Sequence, residues 1–277
     1  MPTCATARHG RGCWPCRNSL AACRRFAVAH PARRPPPAAP PLAGAGPAGG
    51  RRRRLRLDRH AALARPGRGL RTAIGERRTV TLPDGGTLYL NTASAVDIDY
   101  GPERRLLRLH QGEVLVQTAP DPAGQRPFEV WTEDGGARAL GTRYSVRREA
   151  GGTRVAVFQD AVLLQPADPA APSRRLEAGQ LSLLTARAAA APAPVTVGLA
   201  DWVDGRLVAI DQPLGDFIAE LVRYRQGSLS CDPAVAHLRL SGAFRLADTD
   251  AVLENIAASL PVALRTRTRY WVRVVPR

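Results

Sequence analysis

Thr79-Val-Thr-Leu-Pro-Asp-Gly-Gly-Thr-Leu-Tyr-Leu-Asn91 decides the fold of this chain. Val80 and Leu82 alternate with threonines, and Leu88 and Leu90 alternate again beyond Pro83-Asp84-Gly85-Gly86. Period-two alternation on both sides of a Pro/Asp/Gly tetrad reads as strand, tight turn, strand. Short apolar stretches then recur at roughly ten-residue intervals, at Val96 to Tyr100, Leu106 to Leu109, Val114 to Gln117, Phe128 to Trp131, Tyr144 to Val146, Val155 to Phe158 and Val162 to Leu164. This spacing predicts a mainly β domain over residues 71–186, built of stacked short strands in a solenoid- or sandwich-like arrangement.

Upstream of Arg71 neither apolar period survives. Residues 1–70 are dense in Arg, Pro, Gly and Ala, and the expectation is a disordered stretch. Cys13-Trp14-Pro15-Cys16 has the spacing of a thioredoxin-like redox pair, but no strand precedes it and no amphipathic helix follows. A zinc site from Cys4, His9, Cys13 and Cys16 lacks a second well-spaced pair. Leu20-Ala21-Ala22-Cys23 has the form of a lipobox without the apolar core that a signal needs. Arg51 to Arg54 has no aromatic residues interleaved for bases to stack on. Translation of a high-GC gene in a wrong frame would produce text of this kind.

Downstream, an Ala/Pro linker over residues 187–200 leads into mixed α/β text at 201–277. Asp211 is expected to cap a helix with Pro213 in its first turn and Leu214, Phe217, Ile218, Leu221 and Val222 on its inner face. A second helix, started by Asp248 or Thr249, would carry Val252, Leu253, Ile256 and Leu260. Strands are expected at Ser228 to Cys231, Leu238 to Ala243, Val262 to Arg265 and Trp271 to Val274. The order is strand, helix, strand, repeated: a small α+β domain of βαβ repeats.

Charge narrows the function classes. The chain has a formal net charge of +16, and all forty basic residues are arginine. Residues 1–70 hold 15 of them against a single acid, Asp58, whereas residues 71–277 hold 25 arginines and 23 acids. The region expected to fold is nearly neutral, which argues against a nucleic-acid partner. Cys231 stands alone there, so no intrachain disulfide is expected to hold it together. No run of about 18 apolar residues marks a membrane span.

Four segments carry a family resemblance. Thr81-Leu-Pro-Asp-Gly-Gly-Thr-Leu-Tyr-Leu-Asn-Thr-Ala-Ser94, Leu109-His-Gln-Gly-Glu-Val114, Ala139-Leu-Gly-Thr-Arg-Tyr-Ser-Val146 and Leu176-Glu-Ala-Gly-Gln180 resemble, in order, the successive signatures of the FecR domain. The departures are Gly86, where the family usually has Ser or Thr, and Asp160, where a turn glycine is common. The resemblance implies an anti-sigma factor of Gram-negative cell-surface signalling. Its periplasmic part, here residues 71–277, would meet the signalling domain of a TonB-dependent outer-membrane receptor, often in iron-siderophore uptake. The family is anchored at the inner membrane. An extracytoplasmic-function sigma factor would be bound only by an N-terminal domain that residues 1–70 do not resemble. Val208-Ala-Ile-Asp-Gln-Pro-Leu214 and Leu238-Arg-Leu-Ser-Gly-Ala-Phe244 resemble the short secretin and TonB-receptor N-terminal domain. Docking is expected at its exposed strand edges and a helix face, with Arg239, Arg245 and Asp250 as candidate contacts. The alternative is a periplasmic structural or envelope-binding protein that uses the β-module without a sigma factor.

No enzyme active site, cofactor, metal cluster or small-molecule substrate is expected. Gly85-Gly86 precedes no helix N-terminus and reads as turn chemistry. His110 and His237 read as isolated histidines on strands. One bond is an exception: some FecR-type proteins cleave themselves at a Gly-Thr bond matching Gly141-Thr142, where a threonine hydroxyl can attack the preceding carbonyl. The competing reading is a glycine turn ahead of a strand.

Overall fold

In the computed structural model, residues 62–63, 69–122, 124–268 and 270–277 are described, and the readings made on residues 1–61 lie outside them. Fifteen strands form the larger part: β1 (Ala62–Leu63), β2 (Leu70–Arg71), β3 (Arg78–Thr81), β4 (Thr87–Leu90), β5 (Ala95–Tyr100), β6 (Arg105–Gln111), β7 (Glu113–Gln117), β8 (Phe128–Thr132), β9 (Gly135–Ala139), β10 (Arg143–Glu149), β11 (Gly152–Gln159), β12 (Ala161–Pro166), β13 (Arg174–Glu177), β14 (Gln180–Leu184) and β15 (Ala193–Pro194). They make two sheets, ordered β1-β3-β4-β7-β10-β11-β14-β15 and β13-β12-β9-β8-β6-β5-β2. Val80, Leu88, Val114, Val146 and Val155 of the first sheet share one buried core with Val96, Ile98, Leu107, Phe128, Val130 and Leu164 of the second. The domain is therefore a sandwich, one of the arrangements that the strand spacing allowed.

The opening hairpin forms as its alternation dictates. Val80, Leu82, Leu88 and Leu90 are all buried. The turn closes through Leu82 N–H to Gly86 O at 2.8 Å and Gly85 N–H to Leu82 O at 3.0 Å, with Gly85 at φ +87°. Asp84 works in two directions. Its Oδ1 accepts from Gly86 N–H at 3.0 Å, and its Oδ2 accepts from Arg105 Nη1 at 2.7 Å. Arg105 in turn donates to Ala119 O and, through Nε and Nη2, to Arg126 O. One buried ion pair thus ties the hairpin turn to β6 of the opposite sheet and to the loop after β7.

Two turn positions explain residues in the motifs. Gly112, between β6 and β7, sits at φ +83°, and a Cβ there would lie 2.6 Å from Ser94 Cα. Only glycine fits that conformation and that approach. Asp160 adopts φ +55°, the conformation for which glycine is common at this point, and aspartate tolerates it.

A 3-10 turn at Asp201–Asp204 leads into the smaller part: β16 (Arg206–Pro213), α1 (Leu214–Leu221), a second 3-10 turn at Val222–Tyr224, β17 (Ser228–Cys231), β18 (Arg239–Arg245), α2 (Thr249–Ser259), β19 (Val262–Thr268) and β20 (Trp271–Pro276). The strand-helix-strand order occurs twice and β20 closes it. β16 pairs with β18, and β17 and β19 flank β20. Phe217, Ile218 and Leu221 of α1 and Val252, Leu253 and Ile256 of α2 fill the core between them.

Three expectations need correction. Asp211 does not cap α1: it lies in β16 at φ +48°, within an irregularity between Ala209 and Gln212, and Pro213 is itself the N-cap. Asp248 does cap α2, accepting from Ala251 N–H at 2.9 Å. His237 lies in a turn, not a strand, because the chain reverses between β17 and β18. His110 is on β6, exposed, and meets Asp97 Oδ2 at 2.8 Å.

The two parts meet on the outer face of the first sheet. Tyr89, Leu115, Ser145 and Ala156 stand in register across β4, β7, β10 and β11. Alternation places this row away from the sandwich core, yet Leu115, Ser145 and Ala156 are buried. Leu115 belongs to the core of the smaller part, against which Tyr89 and Phe158 also pack.

Candidate functional site

Beside that apolar row runs a charged one. Glu113, Arg147 and Arg154 are in register on β7, β10 and β11, with Asn91 next to Glu113 at the end of β4. From the smaller part, α1 contributes Glu220 and the following turn contributes Arg223 and Tyr224. Glu113 Oε2, its side chain 3 % exposed, accepts from Asn91 Nδ2 at 2.8 Å and from Arg223 Nη2 at 2.9 Å. Asn91 Nδ2 also donates to Tyr224 Oη at 2.8 Å. Glu220 is held from both sides, by Arg147 Nη1 at 2.7 Å and by Arg223 of the turn that follows α1. Thr92 Oγ1 donates to Arg223 O, and Arg77 Nη1 donates to Trp202 O at 2.6 Å.

Burial opposes ionisation of Glu220, but Arg223 and Arg147 outweigh it and hold the carboxyl below its ordinary value. Burial likewise disfavours the Arg223 cation, and Glu113 and Glu220 more than offset this. Desolvation raises the Tyr224 phenol, which stays neutral as hydrogen-bond partner to Asn91. A carboxyl depressed in the folded state stabilises that state above its unfolded value of about 4.5, and the contribution is lost as pH falls through the folded value. Glu220→Gln is therefore expected to cost stability near neutral pH, with the difference from wild type shrinking below about pH 4.5 in urea titrations run across that range. A difference that stays constant down to pH 3, roughly a unit below the ordinary glutamate value, would remove Glu220 from the acid response.

The residues singled out in the sequence fall in three separate places. Gly141 is exposed at φ +95°, and a Cβ there would meet nothing within 4 Å, so backbone conformation and not crowding favours glycine. Thr142 is 3 % exposed, and its Oγ1 has no hydrogen-bond partner among the described residues. Its backbone is held by Thr118: Thr142 N–H donates to Thr118 Oγ1 at 2.9 Å, and Thr142 O accepts from Thr118 N–H and Oγ1, both at 3.1 Å. Arg239 and Arg245 are exposed on β18, which pairs only with β16 among the described strands. Arg239 Nη1 donates to Asp211 O at 2.6 Å. Asp250 lies in the first turn of α2, where it pairs with Arg225 and so helps anchor its own helix.

Sequence reasoning missed Asn91, Glu113, Arg147, Glu220 and Arg223 as a set. The available signal was Val114-Leu115-Val116, an unbroken apolar run that marks a strand covered on both faces. Among the described residues, no group of three or more His, Cys, Asp or Glu is placed to hold a metal ion. No described helix is long and apolar enough to cross a membrane.

The comparisons with known proteins agree with this architecture. Two crystal structures of a proposed anti-sigma factor from Parabacteroides distasonis ATCC 8503 superpose with TM-scores of 0.60 and 0.61 at 22% identity, covering 76% of this chain and 99% of theirs. At that identity the likeness is one of fold, and it extends over both the sandwich and the smaller part. No curated protein matches the chain. The family model described as FecR protein matches residues 68–163, the stretch that holds the opening hairpin, the Gly112 turn and the Gly141–Thr142 bond, and over those residues the sandwich of this chain is similar to a FecR domain.

Proposed function

We propose that this chain is a FecR-type signalling regulator, an anti-sigma factor whose residues 71–277 stand in the periplasm and receive the signalling domain of a TonB-dependent outer-membrane receptor. The signal would reach an extracytoplasmic-function sigma factor and regulate iron-siderophore uptake. The observation that carries the reading is the union of an open edge with a rigid joint. β18 offers backbone groups on its unpaired side for strand addition, flanked by Arg239 and Arg245. The element that bears it is fixed to the FecR domain by the buried Glu113–Arg223–Glu220–Arg147 network.

The test is calorimetric titration of the full chain with the signalling domains of receptors encoded beside its gene. Saturable binding to one of them, weakened by Arg239→Glu combined with Arg245→Glu, is expected. Binding to none would move the reading to an envelope-binding module. Removing residues 201–277 is a poorer test, because it would strip Leu115, Tyr89 and Phe158 of their cover.

A second reading concerns the Gly141–Thr142 bond. A buried hydroxyl with no partner is costly unless it serves something, and here it belongs to the residue whose amide would be cleaved. The Thr142 oxygen would add to the Gly141 carbonyl carbon, and the C–N bond would break as the hydroxyl proton passes to nitrogen. The resulting ester, hydrolysed by water, leaves a carboxyl on Gly141 and a free amine on Thr142. Thr118 would hold the Thr142 peptide group in place. Intact-mass measurement of freshly expressed protein should show fragments ending at Gly141 and beginning at Thr142, absent in Thr142→Val. A single full-length mass for both proteins would rule cleavage out.

A further inference from the structure

A cleft of about 620 Å³ opens between β16, the start of α1 and the segment Thr196–Leu199. Its floor is Trp202, Leu207, Pro213 and Phe217, of which Trp202, Leu207 and Phe217 are buried. Two β-branched side chains on separate segments stand at its mouth, Val197 at 69% and Ile210 at 62% exposure, the two most exposed large hydrophobic residues among those described.

The exposure of Ile210 is built in. The irregularity in β16 puts Asp211 at φ +48°, a conformation unusual for any residue but glycine, and it is held there from two sides. Asp211 N–H donates to Ser241 Oγ at 2.9 Å, and Asp211 O accepts from Arg239. A regular strand would spare the chain this geometry. Bulges of this sort re-aim a side chain next to functional surfaces.

The charges around the cleft are unequal in availability. Arg147 and Arg154 both reach Glu149, at 3.2 and 3.1 Å, and Arg147 also holds Glu220. Asp216, exposed in the first turn of α1, makes no ion pair among the described residues, and Asp211 meets only Arg239, at 3.6 Å between exposed side chains. The free charge at the mouth is therefore negative, next to exposed aliphatic surface.

We propose that this cleft is a docking site for an extended segment of a partner protein that carries aliphatic side chains beside a lysine or arginine. The aliphatic groups would cover Val197 and Ile210, and the cation would lie against Asp211 and Asp216. Arg239 of β18 touches Asp211, so the cleft borders the two-stranded sheet that carries the open edge. The inference rests on the reading of the chain as a receptor-docking regulator, and it says where on the molecule docking occurs.

The experiment is titration of the full chain, wild type and variants, with the signalling domains of the receptors encoded beside its gene. Ile210→Asp, Val197→Asp and Asp216→Lys are each expected to weaken binding roughly tenfold or more, as removal of a central contact does. Ile74→Asp, an exposed apolar residue away from the cleft, should bind like wild type. Thermal melting of every variant checks that folding is retained, which the exposure of these side chains favours. Wild-type binding that all three cleft variants preserve would overturn the cleft while leaving the receptor reading intact. Failure of the wild type to bind any of the domains would overturn both.

Discussion

Asp84→Ala is expected to destabilise the sandwich by about 3–5 kcal/mol, the cost of breaking a buried ion pair by deleting one member. Arg105 would be left with its side chain 9% exposed and its carboxylate partner gone, while three of its donors remain fixed on Ala119 O and Arg126 O. The guanidinium lies over the Phe128 ring, 5.5 Å from the centroid, and its remaining hydrogen bonds hold it at the buried position. The hairpin turn loses a contact at the same time, because Gly86 N–H has Asp84 Oδ1 as its acceptor. Asp84→Asn should cost less, since the amide oxygen can still accept from one donor. Urea denaturation measures both variants, and a loss below about 1 kcal/mol for Asp84→Ala would mean the pair behaves as an exposed one does.

The aspartate of the Pro-Asp-Gly-Gly turn was legible as turn chemistry, but its ion pair was not. Nothing in a linear sequence says that residue 84 faces residue 105. The same limit runs through the fold. Strands with strict alternation around Val80 and Leu88 could be read directly, because each buries one face, and Val114-Leu115-Val116 could be read as a short unbroken apolar run. β9 could not: Gly135-Gly-Ala-Arg-Ala139 has no apolar alternation, since the Trp131 ring occupies the space where a side chain on Gly136 would stand, 2.7 Å from its Cβ position. β13 carries a single buried residue, Leu176, among charged ones. Asp211 has the type of a helix cap and stands near a helix start, yet the register of β16 against β18 overrides that preference and uses it in a bulge. Exposure of Arg239 and Arg245 follows from an edge strand, whereas the pairing of Asp250 with Arg225 depends on how α2 sits against the turn that follows α1.

Glu113→Ala tests whether the two parts act as one body, and its expected cost is about 3 kcal/mol, near the lower end for a broken buried pair. The lower end applies because Arg223 keeps Glu220, and Asn91 keeps Tyr224 Oη. Glu113→Gln retains an acceptor for Asn91 but loses the charge facing Arg223, so its cost should lie between wild type and alanine, as expected when a charge-assisted hydrogen bond becomes neutral. The apolar row next to it sets the comparison. Leu115→Ala removes a side chain buried in the core of the smaller part and should cost about 2–5 kcal/mol through the cavity it leaves. If Glu113 and Leu115 hold the same joint, both substitutions should separate one cooperative unfolding transition into two, with trypsin cutting the arginine-rich β18–β20 region before the sandwich opens. A Glu113→Ala protein that still unfolds in one step, at an unchanged urea midpoint, would show that the smaller part is carried by apolar contact alone. The ionic network could not then be what couples a docked partner to the sandwich.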